Sequence, residues 1–252
     1  PLAPLALAAL LASSSACARA GSGVPASQAR PAGGFDTVEV AGSVDVRIAV
    51  GSGPSVRVEC DDNLTDLIQT EVRDRRLVVR TREPGFEAQS RCFVAVELPR
   101  LVALAVRGSG DASVTGTAEG LALVTLSGSA DARIDAARTD ALEVEVSGSG
   151  DLELAELSAD HVRVAVSGSG SVELGGKAAR VDARLSGTGD LDARRLRADE
   201  AAVDLSGAAD ASVRAAKKVS VSVSGAGSVT VAGNPEQQRV QTSGAGTVQF
   251  ES

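Results

Sequence analysis

Leu142-Glu143-Val144-Glu145-Val146-Ser147-Gly148-Ser149-Gly150-Asp151-Leu152-Glu153-Leu154 is the stretch on which the fold turns. Leu142, Val144 and Val146 alternate with Glu143 and Glu145, and Leu152 and Leu154 flank Glu153. Both runs therefore have the period of two that puts apolar groups on one face of a strand and carboxylates on the other. Between them Gly148-Ser149-Gly150-Asp151 breaks the alternation with residues suited to a sharp bend. The same tetrad recurs at Gly108-Ser109-Gly110-Asp111, Gly128-Ser129-Ala130-Asp131, Gly168-Ser169-Gly170-Ser171, Gly187-Thr188-Gly189-Asp190, Gly207-Ala208-Ala209-Asp210, Gly225-Ala226-Gly227-Ser228 and Gly244-Ala245-Gly246-Thr247. From Gly108 on, successive leading glycines are 20, 20, 20, 19, 20, 18 and 19 residues apart, and so constant a period is the signature of a stacked repeat.

A leucine-rich repeat has a similar period but needs a fixed Asn and a helical half-repeat, and these segments carry neither. Two or three short strands with tight turns per coil, stacked at about 4.8 Å, predict an all-β fold: a parallel β-helix with coils of about 20 residues. Ser127, Ser147, Ser167, Ser186, Ser206, Ser224 and Ser243 precede their tetrads, with Arg107 in the first, and predict a ladder of hydroxyls bonded from coil to coil. Composition agrees. The 252 residues include 27 Gly, no Trp, Tyr or Met, and four Phe, so Ala, Val and Leu must build a thin, uniform core better suited to repeated layers than to a globule around aromatic anchors.

Upstream of the repeats, Phe35 to Val50, Val56 to Cys60, Leu77 to Arg82 and Phe93 to Val106 also read as strands, with Asp61 to Asp66 a turn or short helical start. This part is expected to form the first coils and cap the N-terminal end, since an exposed β-helix end invites edge-to-edge association. Leu2 to Ala12 has the length and Ala/Leu content of a signal-peptide apolar region and is too short to span a bilayer. Ser13-Ser14-Ser15-Ala16-Cys17 resembles the cleavage and lipidation box of bacterial lipoproteins, with Ser14 where that box usually carries Leu. Cys17 is the candidate acylation site; the alternative is an ordinary secretory signal with an incidental Cys. The organisation so read is a signal peptide over 1–16, a flexible Gly/Ala/Ser/Pro tether over 17–34, an N-terminal β region over 35–107 and regular repeats over 108–252. Cys60 and Cys92 are either a disulfide or two buried thiols, and their spacing fits no zinc motif.

A formal charge of −8 repels phosphate backbones, and a chain without Trp or Tyr offers bases almost nothing to stack on, so nucleic acid is not the expected partner. The recurring Gly-x-Gly lacks the third glycine of a dinucleotide loop and opens no helix, so no cofactor is expected. Asp111, Asp131, Asp151, Asp190 and Asp210 share one corner position, and the first three should stack as a carboxylate column. Two readings follow: calcium neutralising Asp111, Asp131 and Asp151, or each Asp accepting local backbone N–H bonds at its turn while solvent screens the charge. His161, the only histidine, reads as an exposed or boundary residue in a turn after Leu157. Asp160 beside it would point to the opposite face, and nothing marks a serine as nucleophile.

The order "FDTVEVAGSVDVRIAVG" (35–51), "DDNLTDLIQTEV" (61–72), "LVVRT" (77–81) and "VAVELPRLVALAVRGSGD" (94–111), followed by iterated "SGSGD" corners, resembles the head GIN domain family, putative auto-transporter adhesins, over nearly all of Phe35 to Phe250. The resemblance implies a right-handed parallel β-helix in exported, frequently lipoprotein-type bacterial proteins, and brings no active-site residue with it. The expected function is a non-catalytic binding, adhesion or scaffold module of the cell envelope, outer-membrane-anchored or periplasmic, touching membrane only through its lipid. Its expected partner is a surface protein or glycan, with self-association through an uncapped C-terminal coil near Val248. The alternative is a polysaccharide-active β-helix enzyme using the Asp column, with Asp131 and Asp151 as its carboxylates.

Overall fold

The computed structural model describes residues 18–82 and 85–251. The candidate signal segment 1–16 and Cys17 lie outside the described residues. The chain opens with β1 (Arg19–Ala20), β2 (Pro25–Arg30), β3 (Thr37–Gly42), β4 (Asp45–Val50) and β5 (Ser55–Asp61). A 3-10 turn at Thr65–Leu67 then leads to β6 (Ile68–Arg73), β7 (Arg76–Thr81), β8 (Phe86–Glu87) and β9 (Phe93–Leu98). β10 (Ala103–Gly108), β11 (Ala112–Glu119) and β12 (Leu123–Gly128) follow. Beyond them each strand bends round most of a coil: β13 (Ala132–Gly148), β14 (Leu152–Gly168), β15 (Val172–Gly187), β16 (Leu191–Gly207) and β17 (Ala211–Gly225). β18 (Ser228–Ala232), β19 (Gln237–Gly244) and β20 (Thr247–Glu251) complete the stack. The result is a β-solenoid of about 7 turns with roughly 20-residue coils.

Because side chains alternate and parallel pairing holds register from coil to coil, the inward residues stack in columns. Val40, Val106, Leu126, Val146, Val166, Leu185, Leu205 and Val223 form one of them. Each is at most 2% exposed, and burying a Val or Leu side chain contributes about 1.5–3 kcal/mol. The tetrads are the corners. Gly128 has φ +109°, a left-handed conformation closed to most side chains. Gly150 serves by close approach instead, because a Cβ there would collide with the Ala130 carbonyl. In that row no two residues bearing a Cβ stack directly: Val44 meets Gly110, Ala130 meets Gly150 and Ala209 meets Gly227.

The serines before the tetrads do not bond to one another. Ser147, Ser186, Ser206 and Ser224 donate long bonds of 3.4–3.5 Å to the carbonyls of Leu126, Val166, Leu185 and Leu205 on the preceding coil. For these four serines the expected hydroxyl ladder is therefore a set of hydroxyl-to-backbone contacts.

The N-terminal layers are out of chain order. β3 lies between β7 and β10, and β4 between β9 and β11, all parallel. The first coil made is thus an inner layer, and residues 51–102 travel outward to build the layer beyond it. There the direction reverses. β6 runs antiparallel to β7, β5 antiparallel to β9, and β2 antiparallel to β5 from Pro25↔Asp61 to Arg30↔Val56. This corrects the flexible tether expected over 17–34: Pro25–Arg30 is an edge strand that satisfies the outer backbone groups of β5. Its small polar residues look like a linker because most face solvent.

Cys60 and Cys92 are bonded to each other, with S–S 2.10 Å. Beside them the Asp61 side chain is shut from solvent and accepts from the Ser90 hydroxyl, from Ser90 N at 3.1 Å and from Gln89 N at 2.8 Å. The bond from the Ser90 hydroxyl, followed by that from Gln89 N–H, outweighs burial and holds the carboxyl below its usual range.

Candidate functional site

The corner carboxylates form a column that begins earlier than the repeats suggest. Asp45 Oδ1 accepts from Asp111 N at 3.0 Å, Asp111 Oδ1 from Asp131 N at 3.0 Å, Asp131 Oδ1 from Asp151 N at 2.9 Å, and Asp151 Oδ1 from Ser171 N at 2.8 Å. The pattern resumes with Asp190 Oδ1 to Asp210 N at 3.2 Å and Asp210 Oδ1 to Ser228 N at 2.9 Å. Each carboxylate thus takes the N–H of the equivalent residue one coil on, not a local N–H of its own turn as expected. The reason is geometric: the corner points this N–H along the stacking axis, where only the neighbouring coil can meet it. The side chains are exposed, so solvent screens charges lying about 4.8 Å apart. Among the described residues no group of three or more His, Cys, Asp or Glu is gathered to hold a metal ion, and Asp111, Asp131 and Asp151 stand in file.

His161 lies within β14 rather than in a turn, because the strand bends without breaking after Leu157. Its Nε2 is 2.8 Å from Asp182 Oδ2 on the next coil, and Arg180 reaches the same carboxylate at 2.8 Å. Partial burial works against ionisation of Asp182, but hydrogen bonds from Arg180 and His161 outweigh it and hold the carboxyl below its usual range. This is a cross-coil ion-pair cluster, and Arg180 continues it to Glu200 at 3.5 Å.

A wide concavity lies on the side of the coils between the 152–154 and 161–167 runs. It is a trough of about 1480 Å³ crossing several coils. The bends that create it coincide with register shifts between Val114 and Thr117, Leu154 and Leu157, and Glu173 and Gly175. Its floor is small, including Ala136, Ala137, Ala155, Ala159, Gly175 and Gly176, so it stays open. Parallel register aligns Glu119, Arg138, Ser158, Lys177 and Arg197 along one line, while Asp140, Asp160 and Asp199 also line the trough. Arg138 meets Glu119 at 3.5 Å, Arg195 meets Glu173 at 2.6 Å, and Lys217 meets Asp199 at 2.9 Å, which raises the Lys217 pKa. Lys177 and Arg197 make no ion pair among the described residues. The sequence reading missed this face. Its signal was available only by aligning the repeats and reading the position nine or ten residues past each leading glycine, where Arg138, Ser158, Lys177 and Arg197 fall.

A family profile described as "Putative auto-transporter adhesin, head GIN domain" matches residues 34–235. The chain belongs to this family. The head GIN match runs from just before β3 to just after β18 and takes in both the carboxylate column and the trough, leaving β1, β2, β19 and β20 outside it. Among solved structures, a putative adhesin from Parabacteroides distasonis is similar at 23% identity and TM-score 0.82, covering 93% of this chain and 100% of its own. A putative lipid binding protein from the same organism gives 20% identity and TM-score 0.83, over 92% of this chain and 99% of its own. A putative adhesin from Parabacteroides merdae gives 17% identity and TM-score 0.82, over 92% and 98%. At such identities these likenesses establish the solenoid fold alone. No curated protein matches the chain.

Proposed function

We propose that the protein is an exported, non-catalytic binding module of the bacterial cell envelope, held there by a lipid on Cys17, and that the trough is its binding face. The observation that carries this reading is the trough itself. It is a wide groove with a small-residue floor, and Arg138, Ser158, Lys177 and Arg197 follow one another along the stack at coil spacing, so that three cations fall on a line of about 15 Å from Arg138 to Arg197. Such a line suits an extended acidic chain, a glycan or a protein segment, better than a compact substrate. The adhesin description of the family supports a surface or exported setting. In the polysaccharide-cleaving alternative Asp131 and Asp151 would act through Oδ2, because Oδ1 of each holds an N–H of the next coil.

Binding of purified protein to immobilised acidic and neutral envelope polysaccharides tests the reading. Acidic chains should bind with strong salt dependence, and the pair Lys177→Glu and Arg197→Glu should weaken binding about tenfold or more without moving the melting temperature. Unchanged binding in that variant removes the trough from the proposal. Soluble sugar products that disappear in Asp131→Asn would replace binding with catalysis.

A further inference from the structure

We infer that the trough takes a zwitterionic glycan, a sugar chain bearing both acid and ammonium groups. Its acid groups meet Lys177 and Arg197, and its ammonium groups meet a second row of carboxylates beside them. The inference rests on the trough being the binding face and adds the class of chain that fits it.

Two outward rows run side by side along the trough. The first is Arg138, Ser158, Lys177 and Arg197, in parallel register. The second lies two residues further along each strand and comprises Asp140, Asp160, Ala179 and Asp199. Its register is fixed by the flanking pairs Thr139↔Ala159 and Ala141↔His161, then Ala159↔Ala178 and His161↔Arg180, then Ala178↔Ala198 and Arg180↔Glu200. Residues two apart on a strand face the same way, so the rows stand about 7 Å apart, and neighbours within a row about 4.8 Å. Between the rows Ala178 and Ala198 are buried, while every member of both rows lines the trough.

Some of this charge is already matched: Arg138 meets Glu119 at 3.5 Å and Asp199 meets Lys217 at 2.9 Å. Asp140, Asp160, Lys177 and Arg197 make no ion pair among the described residues. Asp160 and Lys177 sit on adjacent coils and in different rows, about 8 Å apart at the backbone, and do not close on each other. The trough therefore presents two unmatched carboxylates on β13 and β14 and two unmatched cations on β15 and β16. A purely acidic chain would gain at Lys177 and Arg197 but would pass Asp140 and Asp160 against like charge. A chain with an ammonium group on the sugar next to each acid group satisfies both rows.

The walls favour sugar over polypeptide. β13, β14, β15 and β16 are each paired with a neighbouring coil on both sides, so the trough has no strand edge to which a peptide backbone could add. Its floor of alanine methyls and glycine backbone gives a large apolar side chain little to bury against. Thr117, Thr139 and Ser158 instead supply hydroxyls at its surface.

Isothermal titration of the full chain with two polymers that differ in one group tests the inference. N-acetylheparosan, a repeat of glucuronate and N-acetylglucosamine, is acidic only; its chemically N-deacetylated form carries an ammonium group beside every carboxylate. At low salt the deacetylated polymer should bind about tenfold more tightly. Asp140→Asn with Asp160→Asn should abolish that preference without moving the melting temperature. Asp135→Asn with Glu145→Gln removes the same charge outside the trough and should keep it. Equal affinity for the two polymers, or a preference that survives loss of the Asp140 and Asp160 carboxylates, would overturn the inference and leave the trough a site for acidic chains. Tighter binding of a peptide of alternating lysine and glutamate would replace the glycan with a protein segment. Binding of none of the three would withdraw the trough as the binding face, and this inference with it.

Discussion

At the N-terminal end the outward edges of β7 and β9 are covered by antiparallel strands, a disulfide ties β5 to the segment before β9, and the Asp61 side chain is sealed among Ser90 and Gln89. In the last described coil β19 and β20 are two more strands of the same parallel stack, with Val240 and Phe250 half in solvent and, among the described residues, paired only with their inner neighbours β17 and β18. The difference shows what a repeat cannot supply. Each inner coil draws its pairing and its core from both sides, so identical sequence logic yields full burial in the middle and half burial at the edge. Termination needs residues that depart from the repeat, and residues 51–102 and 25–30 supply them at the N-terminal end. Local opening should therefore begin at β19 and β20 and reach the capped end last.

The largest test of this contrast is to unstitch the cap. Removing the Cys60–Cys92 bond, whose partners are 32 residues apart, by reduction or by Cys60→Ser with Cys92→Ser should cost about 3–4 kcal/mol. Denaturant unfolding with and without reductant would record it, together with loss of hydrogen-exchange protection in β2 and β5. An unchanged midpoint would mean the antiparallel pairing alone suffices to hold the cap.

Next in size is a matched pair of truncations. Leu154→Ala, in the middle of the stack with 0% exposure, should cost about 3 kcal/mol, because the neighbouring coils cannot collapse into the space. Val240→Ala in the last described coil should cost less than about 1 kcal/mol. Equal costs would deny that coil its looseness.

The smallest expected effect is on acid stability. Asp61 has a folded pKa below its ordinary value, so its contribution is fully present above the unfolded pKa, near 3.9, and is lost as pH falls through the lowered folded value. Asp61→Asn should flatten the acid limb of the melting-temperature profile in that window and leave neutral pH much less affected. A variant whose acid limb is as steep as that of the parent would assign the limb to other carboxylates, among them Asp182 and Asp192, whose pKa values are also lowered.

Much of the architecture was legible because its determinants are local and repeated. The alternation around Gly148 sets which groups point inward, and the tetrad spacing sets the coil. Other parts were not legible for equally physical reasons. Gly42-Ser43-Val44-Asp45 is a corner in register with Gly108-Ser109-Gly110-Asp111, yet Asp45 and Asp111 stand 66 residues apart in the chain, outside the period that marked the others. Pro25–Arg30 carries no apolar face, because an edge strand whose partners lie to one side gains its stability from backbone pairing. The Asp column was visible as a column, but not the donor of its hydrogen bonds. The trough was invisible along the chain, because Arg138, Lys177 and Arg197 become a line only when the coils are laid side by side.

The sequence by itself determined the coil, its period, the inward columns and the sharp corners, since alternation, glycine and spacing act over a few residues and repeat. The tertiary structure alone decided that β3 and β4 lie inside the stack, that the cap runs antiparallel and that Asp61 is sealed. Those choices depend on which distant segments can pair with a free edge and leave no backbone group unpaired, an outcome set by the packing of the whole chain and by no local pattern within it.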